Sequence, residues 1–153
     1  MKNQGYGRII NTSSHTGLGW KEGGAYATVK ESIASFTRLV ARDMAEFGIN
    51  CNAIRPLAVW RGSKNQTQQM LKQRPEDVAS LVVFLASEQS DNINGCIFEV
   101  WSGHVGIFTE PPPVENIIEK EGAWTPDELA KLIPQTLTKN RSRNLRPFIL
   151  NQY

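Results

Sequence analysis

The sequence predicts an α/β protein in which helices cover the faces of a parallel sheet. Short apolar segments at residues 7–12, 49–54 and 95–100 are separated by two segments whose apolar residues recur every three or four positions. Strands that alternate with amphipathic helices form parallel sheets, because each helix returns the chain to the edge where the next strand begins. The apolar content of 40% and the charged content of 21% are ordinary for a globular protein and argue against disorder.

The first strand and the first helix take up residues 7–48. The segment GRIINT, residues 7–12, reads as a strand that leads into a polar, glycine-rich loop. A helix is predicted from Ala25 to Phe47, and Gly48 suits the left-handed conformation that ends it. The apolar stripe of this helix consists of Val29, Ile33, Phe36, Val40, Met44 and Phe47.

The second half of the sheet follows the same alternation. The segment INCNAI, residues 49–54, predicts a strand that Pro56 ends, because proline has no N–H for a ladder. Pro75 suits the first turn of a second helix, and GCIFEV, residues 95–100, predicts a third strand. The stripe of the second helix consists of Val78, Leu81, Val82 and Leu85.

The character of the chain changes after Phe108. The segment EPPPVE, residues 110–115, is compatible with neither helix nor sheet. Thr125 and Glu128 have the spacing of a capping box at the start of a short helix, and a basic tail follows. We therefore expect a main domain over residues 1–108 and an irregular C-terminal extension over residues 109–153.

Composition and patterning argue against several classes of function. The net charge of +2 gives no support for nucleic-acid binding, and no apolar run is long enough to span a membrane. No Cys or His spacing indicates a metal site, and we interpret Cys51 and Cys96 as small buried side chains in a reducing compartment. No apolar leader precedes residue 10, so we expect a cytoplasmic protein.

The segment SSHTGLGWKEGGAYATVKES, residues 13–32, combines groups suited to proton transfer. Tyr26 and Lys30 are four positions apart and therefore share one face of the predicted helix. An ammonium group beside a phenol favours the phenolate form, which suits the tyrosine to proton transfer near neutral pH. The Ser14 hydroxyl is positioned in the sequence to hold a carbonyl oxygen at the same point. Together the three groups suit the movement of a proton to or from an oxygen while a hydride moves elsewhere.

The segments GRIINTSSHTG, YATVK and GINCNAIRP together resemble the short-chain dehydrogenase/reductase family. The resemblance implies that Tyr26 is the general acid/base, that Lys30 holds the nicotinamide ribose, and that Ser14 orients the carbonyl. Gly17 completes the serine motif, and Ser13 is the weaker candidate for its serine. The implied cofactor is NAD or NADP, and the implied neighbours of its nicotinamide are Tyr26, Lys30, Pro56, Leu57 and Ala58.

The segments PEDVASLVVFLASE, NGCIFEV and WTPDELAK extend the resemblance to the (3R)-hydroxyacyl-CoA dehydrogenases of this family. This likeness covers about residues 1–135. It implies a small-molecule substrate, either a CoA-linked 3-hydroxyacyl group or a similar secondary alcohol or ketone. It also implies a homo-oligomer formed through the helix at residues 25–47, although the stripe of that helix is equally compatible with packing on its own sheet.

The glycine-rich dinucleotide turn of the family has no convincing counterpart here. GLGWKEG, residues 17–23, matches its pattern, but no acidic ribose ligand follows, and the segment already connects Ser14 to Tyr26. We therefore expect the C-terminal half of a doubly wound, Rossmann-type parallel sheet, with three strands and flanking helices, whose first strand is an open edge. Two alternatives to an active enzyme are a truncated, non-catalytic fragment or dimerisation module, and a split enzyme whose other half is a separate chain.

Five further side chains have alternative interpretations. His15 could contact substrate, but we expect an exposed loop residue. Trp60 and Arg61 could cover a substrate, although a solvated loop is the simpler prediction. Trp101 and His104 follow the third strand and either line the mouth of the site or pack against the domain.

Overall fold

The computed structural model describes residues 1–20, 23–59, 73–109 and 113–140. The chain divides into a larger unit, Met1–Glu110, and a smaller one, Pro111–Tyr153. Trp60 and Arg61 lie outside the described residues, as do the arginines of the basic tail. No helix in the described ranges is both long enough and apolar enough to cross a membrane.

The larger unit is built on a four-stranded sheet. Its strands are β1 (Gly7–Thr12), β2 (Ile49–Pro56), β3 (Ile97–Trp101) and β4 (His104–Ile107), and they lie in the order β1-β2-β3-β4. The first three strands are parallel, with Gly7 beside Ile49 and Ala53 beside Ile97. This confirms the predicted parallel core and leaves β1 at one edge of the sheet.

The predicted count of three strands is corrected to four. Strand β4 runs antiparallel to β3 after a two-residue turn, Ser102–Gly103, in which Gly103 has φ +74°. The sequence HVGI alternates weakly and is only four residues long, so periodicity alone does not separate it from a loop. The hairpin turn supplies the register that the strand itself does not specify.

Helix α1 (Gly24–Met44) covers one face of the sheet with its small residues. Ala34, Thr37 and Ala41 are buried, and Ala34 packs with Ala53 and Ile97 of the sheet. Small side chains let the helix approach the strands closely. The predicted apolar stripe is therefore only partly covered by the sheet. Ile33, Val40 and Met44 are half-buried, while Val29 and Phe36 are exposed.

Helix α2 (Pro75–Ala86) covers the other face and forms the main apolar core. Leu81 and Leu85 pack against Ile54 of β2 and Val100 of β3. The predicted stripe is confirmed here, because the four apolar residues named from the sequence are all buried or half-buried in α2. Strand β2, between the two helical layers, is buried along almost its whole length.

The smaller unit contains helix α3 (Pro126–Leu132), which begins with the predicted capping box. The Thr125 hydroxyl accepts a hydrogen bond from the Glu128 N–H at 3.3 Å, and the Glu128 carboxylate accepts one from the Thr125 N–H at 2.8 Å. The Lys120 ammonium also donates to both Glu128 oxygens, at 2.7 and 2.8 Å. Hydrogen bonds from Lys120 and Thr125 lower the pKa of Glu128 to about 2.

Replacing Glu128 with glutamine is expected to loosen the start of α3 near neutral pH and to have no effect in strong acid. A carboxylate whose pKa is lower in the folded state stabilises that state above its unfolded pKa, about 4.3, and the contribution is lost as pH falls through about 2. The Cα chemical shifts of Leu129, Ala130 and Lys131 in E128Q should therefore differ from the wild type at neutral pH and converge with it in acid. E121Q, at an exposed glutamate of the same unit, serves as the control. A difference between E128Q and wild type that is independent of pH would contradict the capping role.

Candidate functional site

The two serines after β1 have different surroundings. Ser13 is buried, and its hydroxyl donates to the Lys30 carbonyl oxygen at 2.6 Å, which ties the strand end to α1. Ser14 caps a 3₁₀ turn, His15–Leu18, where its hydroxyl oxygen accepts from the Thr16 N–H at 3.1 Å. Ser13 therefore has a structural role, and Ser14 is the serine at the cavity described below.

Tyr26 and Lys30 lie one turn apart near the start of α1. The Tyr26 side chain is 55% exposed, and the Lys30 Nζ is 5.6 Å from the centroid of its ring. The ammonium donates a hydrogen bond of 2.8 Å to the Thr12 carbonyl oxygen at the end of β1. This bond holds the positive charge at the carboxyl end of the sheet, beside the phenol.

A surface cavity of about 450 Å³ joins this helix end to the end of β2. It is lined by Ser14, His15, Thr16, Trp20, Gly23, Tyr26, Pro56 and Leu57. The structure therefore brings together four of the residues predicted from the sequence: Ser14, Tyr26, Pro56 and Leu57. Lys30 lies next to the cavity through its contact with Tyr26, whereas Ala58 is not part of the lining.

Gly17 is needed for the packing of the serine turn on α1. A Cβ atom at this position would lie 2.9 Å from the Glu31 Oε2 and 3.0 Å from the Glu31 backbone nitrogen. A larger residue would push the 3₁₀ turn away from the helix that carries Tyr26 and Lys30. The close approach of Glu31 thus explains why glycine occupies this position of the serine motif.

The expectation that His15 is exposed was wrong. Its side chain is only 3% exposed, because the ring packs beneath the hairpin of β3 and β4 and bonds to Glu99. Trp101 and His104 belong to the same hairpin, where their rings stack at 3.8 Å. Glu99 is more than 80 positions from His15, so the sequence around His15 gives no indication that the two side chains pair.

Sequence reasoning also missed Thr16 and Trp20 as lining residues. Trp20 is 44% exposed and follows Gly19, which has φ +94° and turns the chain toward the cavity. An aromatic residue between glycines in the loop before the tyrosine is the signal that could have identified it. Within the described residues, no group of three or more His, Cys, Asp or Glu side chains could hold a metal ion.

Comparisons with known proteins identify relatives of the chain. A family model described as enoyl-(acyl carrier protein) reductase matches residues 1–104. A hydroxyacyl-CoA dehydrogenase of Mycobacterium tuberculosis is 34% identical over 134 residues, which cover 81% of this chain and 42% of the relative. The peroxisomal hydratase-dehydrogenase-epimerase of Saccharomyces cerevisiae is 38% identical over 160 residues, which cover 100% of this chain and 18% of the relative.

A solved structure shares the fold. The crystal structure of a short chain dehydrogenase from Mycobacterium avium superimposes with a TM-score of 0.74 at 34% sequence identity. The match covers 88% of this chain and 46% of that protein. The chain thus spans less than half the length of each of these relatives.

Proposed function

Because the chain belongs to the short-chain dehydrogenase/reductase family, we propose that it supplies the proton-transfer site of an NAD(P)-dependent oxidoreductase. The observation that carries the proposal is the presence of Ser14 and Tyr26 on one cavity, with the Lys30 ammonium 5.6 Å from the Tyr26 ring. A hydroxyl, a phenol and an ammonium group suit the interconversion of a secondary alcohol and a ketone.

Tyr26 is the proposed general acid/base. In the oxidation direction its phenolate accepts the proton of the substrate hydroxyl, while the carbinol carbon loses a hydride and becomes a carbonyl carbon. In the reduction direction the phenol returns that proton to the carbonyl oxygen. The Lys30 ammonium lies 5.6 Å from the centroid of the Tyr26 ring, and the Ser14 hydroxyl donates a hydrogen bond to the substrate oxygen.

The side chains at this end of the sheet fit the nicotinamide riboside part of the cofactor. Pro56 and Leu57 give the cavity an apolar wall, and Lys30 provides an ammonium group suited to a ribose hydroxyl. A bound nicotinamide supplies hydride acceptance or donation. The residues that line the cavity do not distinguish NAD from NADP, so the proposal covers both.

The proposed substrate is a CoA-linked 3-hydroxyacyl group or a similar secondary alcohol or ketone. The relative from Mycobacterium tuberculosis is named a hydroxyacyl-CoA dehydrogenase, and a rat relative, 34% identical over 112 residues, a (3R)-3-hydroxyacyl-CoA dehydrogenase. The Trp20 and Leu57 side chains add apolar lining to the cavity, which suits an acyl chain. We place the reaction in the cytoplasm, in keeping with two cysteines that form no disulfide.

Titration of the purified chain with NADH and NADPH tests the proposal. Trp20 lies on the cavity, so saturable quenching of tryptophan fluorescence with a higher melting temperature is the expected result. Oxidation of a 3-hydroxyacyl-CoA with NAD or NADP would then be followed by absorbance. A folded chain that binds neither nucleotide, alone or mixed with the nucleotide-binding half of a relative, would refute the proposal.

The second candidate function, a non-catalytic dimerisation module, is favoured by the outer face of α1. Val29, Phe36 and Leu39 are each more than half exposed on this face, although they are large and apolar. Phe36 and Leu39 line a surface groove of about 470 Å³ together with Arg38 and Arg42. We propose that a second copy of the chain covers this face, whether or not the chain is active.

Replacing Phe36 with glutamate is expected to dissociate this dimer, because a carboxylate would be buried at the centre of the apolar face. Light scattering after gel filtration should give a dimer mass for the wild type and a monomer mass for F36E. V83E changes an apolar residue on α2 that is still more exposed, and this variant should stay dimeric. A wild-type chain that is monomeric at high concentration, or a dimer that F36E leaves intact, would contradict the proposed interface.

A further inference from the structure

Glu99 is the centre of a buried polar cluster behind the cavity. Its Oε2 atom lies 3.1 Å from the Nε2 of His15, and its Oε1 atom lies 2.9 Å from the Nε2 of His104. Glu99 is 9% exposed, and His15 is more deeply buried still. We call these three residues the Glu99 cluster.

The hairpin of β3 and β4 leaves space for the Glu99 carboxylate. Gly106 faces Glu99 across the two strands, and a Cβ atom there would lie 2.8 Å from the Oε1 of Glu99. Trp101 stacks on the His104 ring, which fixes the outer histidine. The carboxylate therefore occupies the space that Gly106 leaves open, and it is held there by the imidazoles of His15 and His104.

The inner histidine is confined as well. The His15 ring meets Trp101 edge-on at a centroid distance of 5.7 Å and Phe108 at 6.2 Å. The bond to Glu99 adds a polar contact that directs the imidazole toward the sheet. Contacts with β3 and with Phe108 thus help to hold the His15 ring in place.

His15 is also the one buried residue of the 3₁₀ turn that Ser14 caps. Ser14 precedes it directly, and its hydroxyl bonds to Thr16 within the turn. The turn is four residues long. An anchor at His15 is therefore a second connection between this turn and the sheet, beside the Ser13 N–H that donates to the Ile54 carbonyl oxygen.

The charges around Glu99 keep it ionised. Burial alone would raise the pKa of Glu99, but the hydrogen bonds from His15 and His104 lower it below its usual value. On the same face of the sheet, Arg55 lies beside Glu99 in register, and its guanidinium pairs with Glu31 of α1 at 2.9 Å. The carboxylate is thus a fixed acceptor for both histidines.

We propose that Glu99 is a positioning residue for Ser14, which it holds in place through His15. This inference rests on the proposed function for the role of Ser14, but the position of Ser14 can be measured without any turnover. Neither Glu99 nor His104 lines the cavity, and Glu99 meets its lining at His15, so we expect the effect of Glu99 on Ser14 to pass through the 3₁₀ turn.

The test compares three variants of the full chain by NMR. The chain has two histidines, so selective labelling gives two imidazole signals, and the Ser14 amide reports on the turn. Glu99→Leu removes both hydrogen bonds at similar volume, whereas Glu99→Gln keeps hydrogen-bonding capacity. Gly106→Ala keeps every side chain of the cluster and displaces the carboxylate, with Val105→Ala on the same strand as its control.

We expect E99L and G106A to shift the His15 imidazole and the Ser14 amide, and E99Q and V105A to leave Ser14 near its wild-type position. If the wild type is active, kcat of E99L should fall by about 10- to 100-fold with little change in KM, and E99Q should restore most of it. A wild type without activity would contradict the proposed function but not this inference, because the NMR comparison does not depend on turnover.

A Ser14 amide that stays unchanged in folded E99L and G106A would overturn the inference. If E99L does not fold, the comparison of G106A with V105A tests the inference.

Discussion

Replacing Tyr26 with phenylalanine is expected to lower kcat by about 100- to 10,000-fold, the usual contribution of a general acid/base, and to leave the fold intact. The change removes one oxygen atom from a side chain that is 55% exposed, so little packing is lost. Substrate and nucleotide binding should change little, because the aromatic ring that lines the cavity remains.

The measurement is turnover of a 3-hydroxyacyl-CoA by wild-type and Y26F chains, with circular dichroism and a thermal melt as checks of the fold. Tyr6→Phe is the matched control, since Tyr6 lies before β1 and packs against Arg8, away from the cavity. If Y26F retains wild-type kcat, another group transfers the proton and the assignment of Tyr26 fails.

Replacing Leu85 with alanine is expected to lower the free energy of unfolding of the larger unit by about 2–5 kcal/mol. Leu85 is completely buried between α2 and the sheet, where it packs with Ile54, Leu81 and Val100. Truncation removes the transfer free energy of the side chain and leaves a cavity that helix and sheet only partly fill. For a sheet of four strands, this is a large share of the total stability.

Val83→Ala provides the control on the same helix. Val83 is 69% exposed, so its truncation should change stability by less than about 0.5 kcal/mol. Urea unfolding followed by tryptophan fluorescence gives both values. Equal midpoints for L85A and V83A would show that α2 does not pack on the sheet as described.

The elements that the sequence predicted well are those whose signal is local. Strand β1 has the bounds expected from GRIINT, and α2 begins at the proline that suits a first helical turn. Strand β2 runs two residues beyond its expected end, through Arg55 and Pro56. The Arg55 guanidinium is fully buried because Glu31 of α1 pairs with it, and only the tertiary structure supplies that partner.

In the candidate site, too, the features that could be predicted are those with a local sequence signal. The spacing of Ser14, Tyr26 and Lys30 could be read from the sequence because a loop and one helical turn bring these groups together. The burial of His15 could not be read, because it depends on Glu99, which is 84 positions away. The outer face of α1 was ambiguous because its apolar spacing fits a sheet or a second chain equally well.

The edge strand β1 offers a way to observe the docking of another strand by hydrogen exchange. The Gly7 and Ser13 amides donate to the carbonyls of Gly48 and Ile54, so by alternation the amides of Arg8, Ile10 and Thr12 point away from β2. Among the described residues, no strand pairs with that side. These three amides should exchange quickly while their neighbours are protected, and they should become slow when another strand docks. The same three positions would therefore report whether a nucleotide-binding half, supplied as a separate chain, completes the sheet.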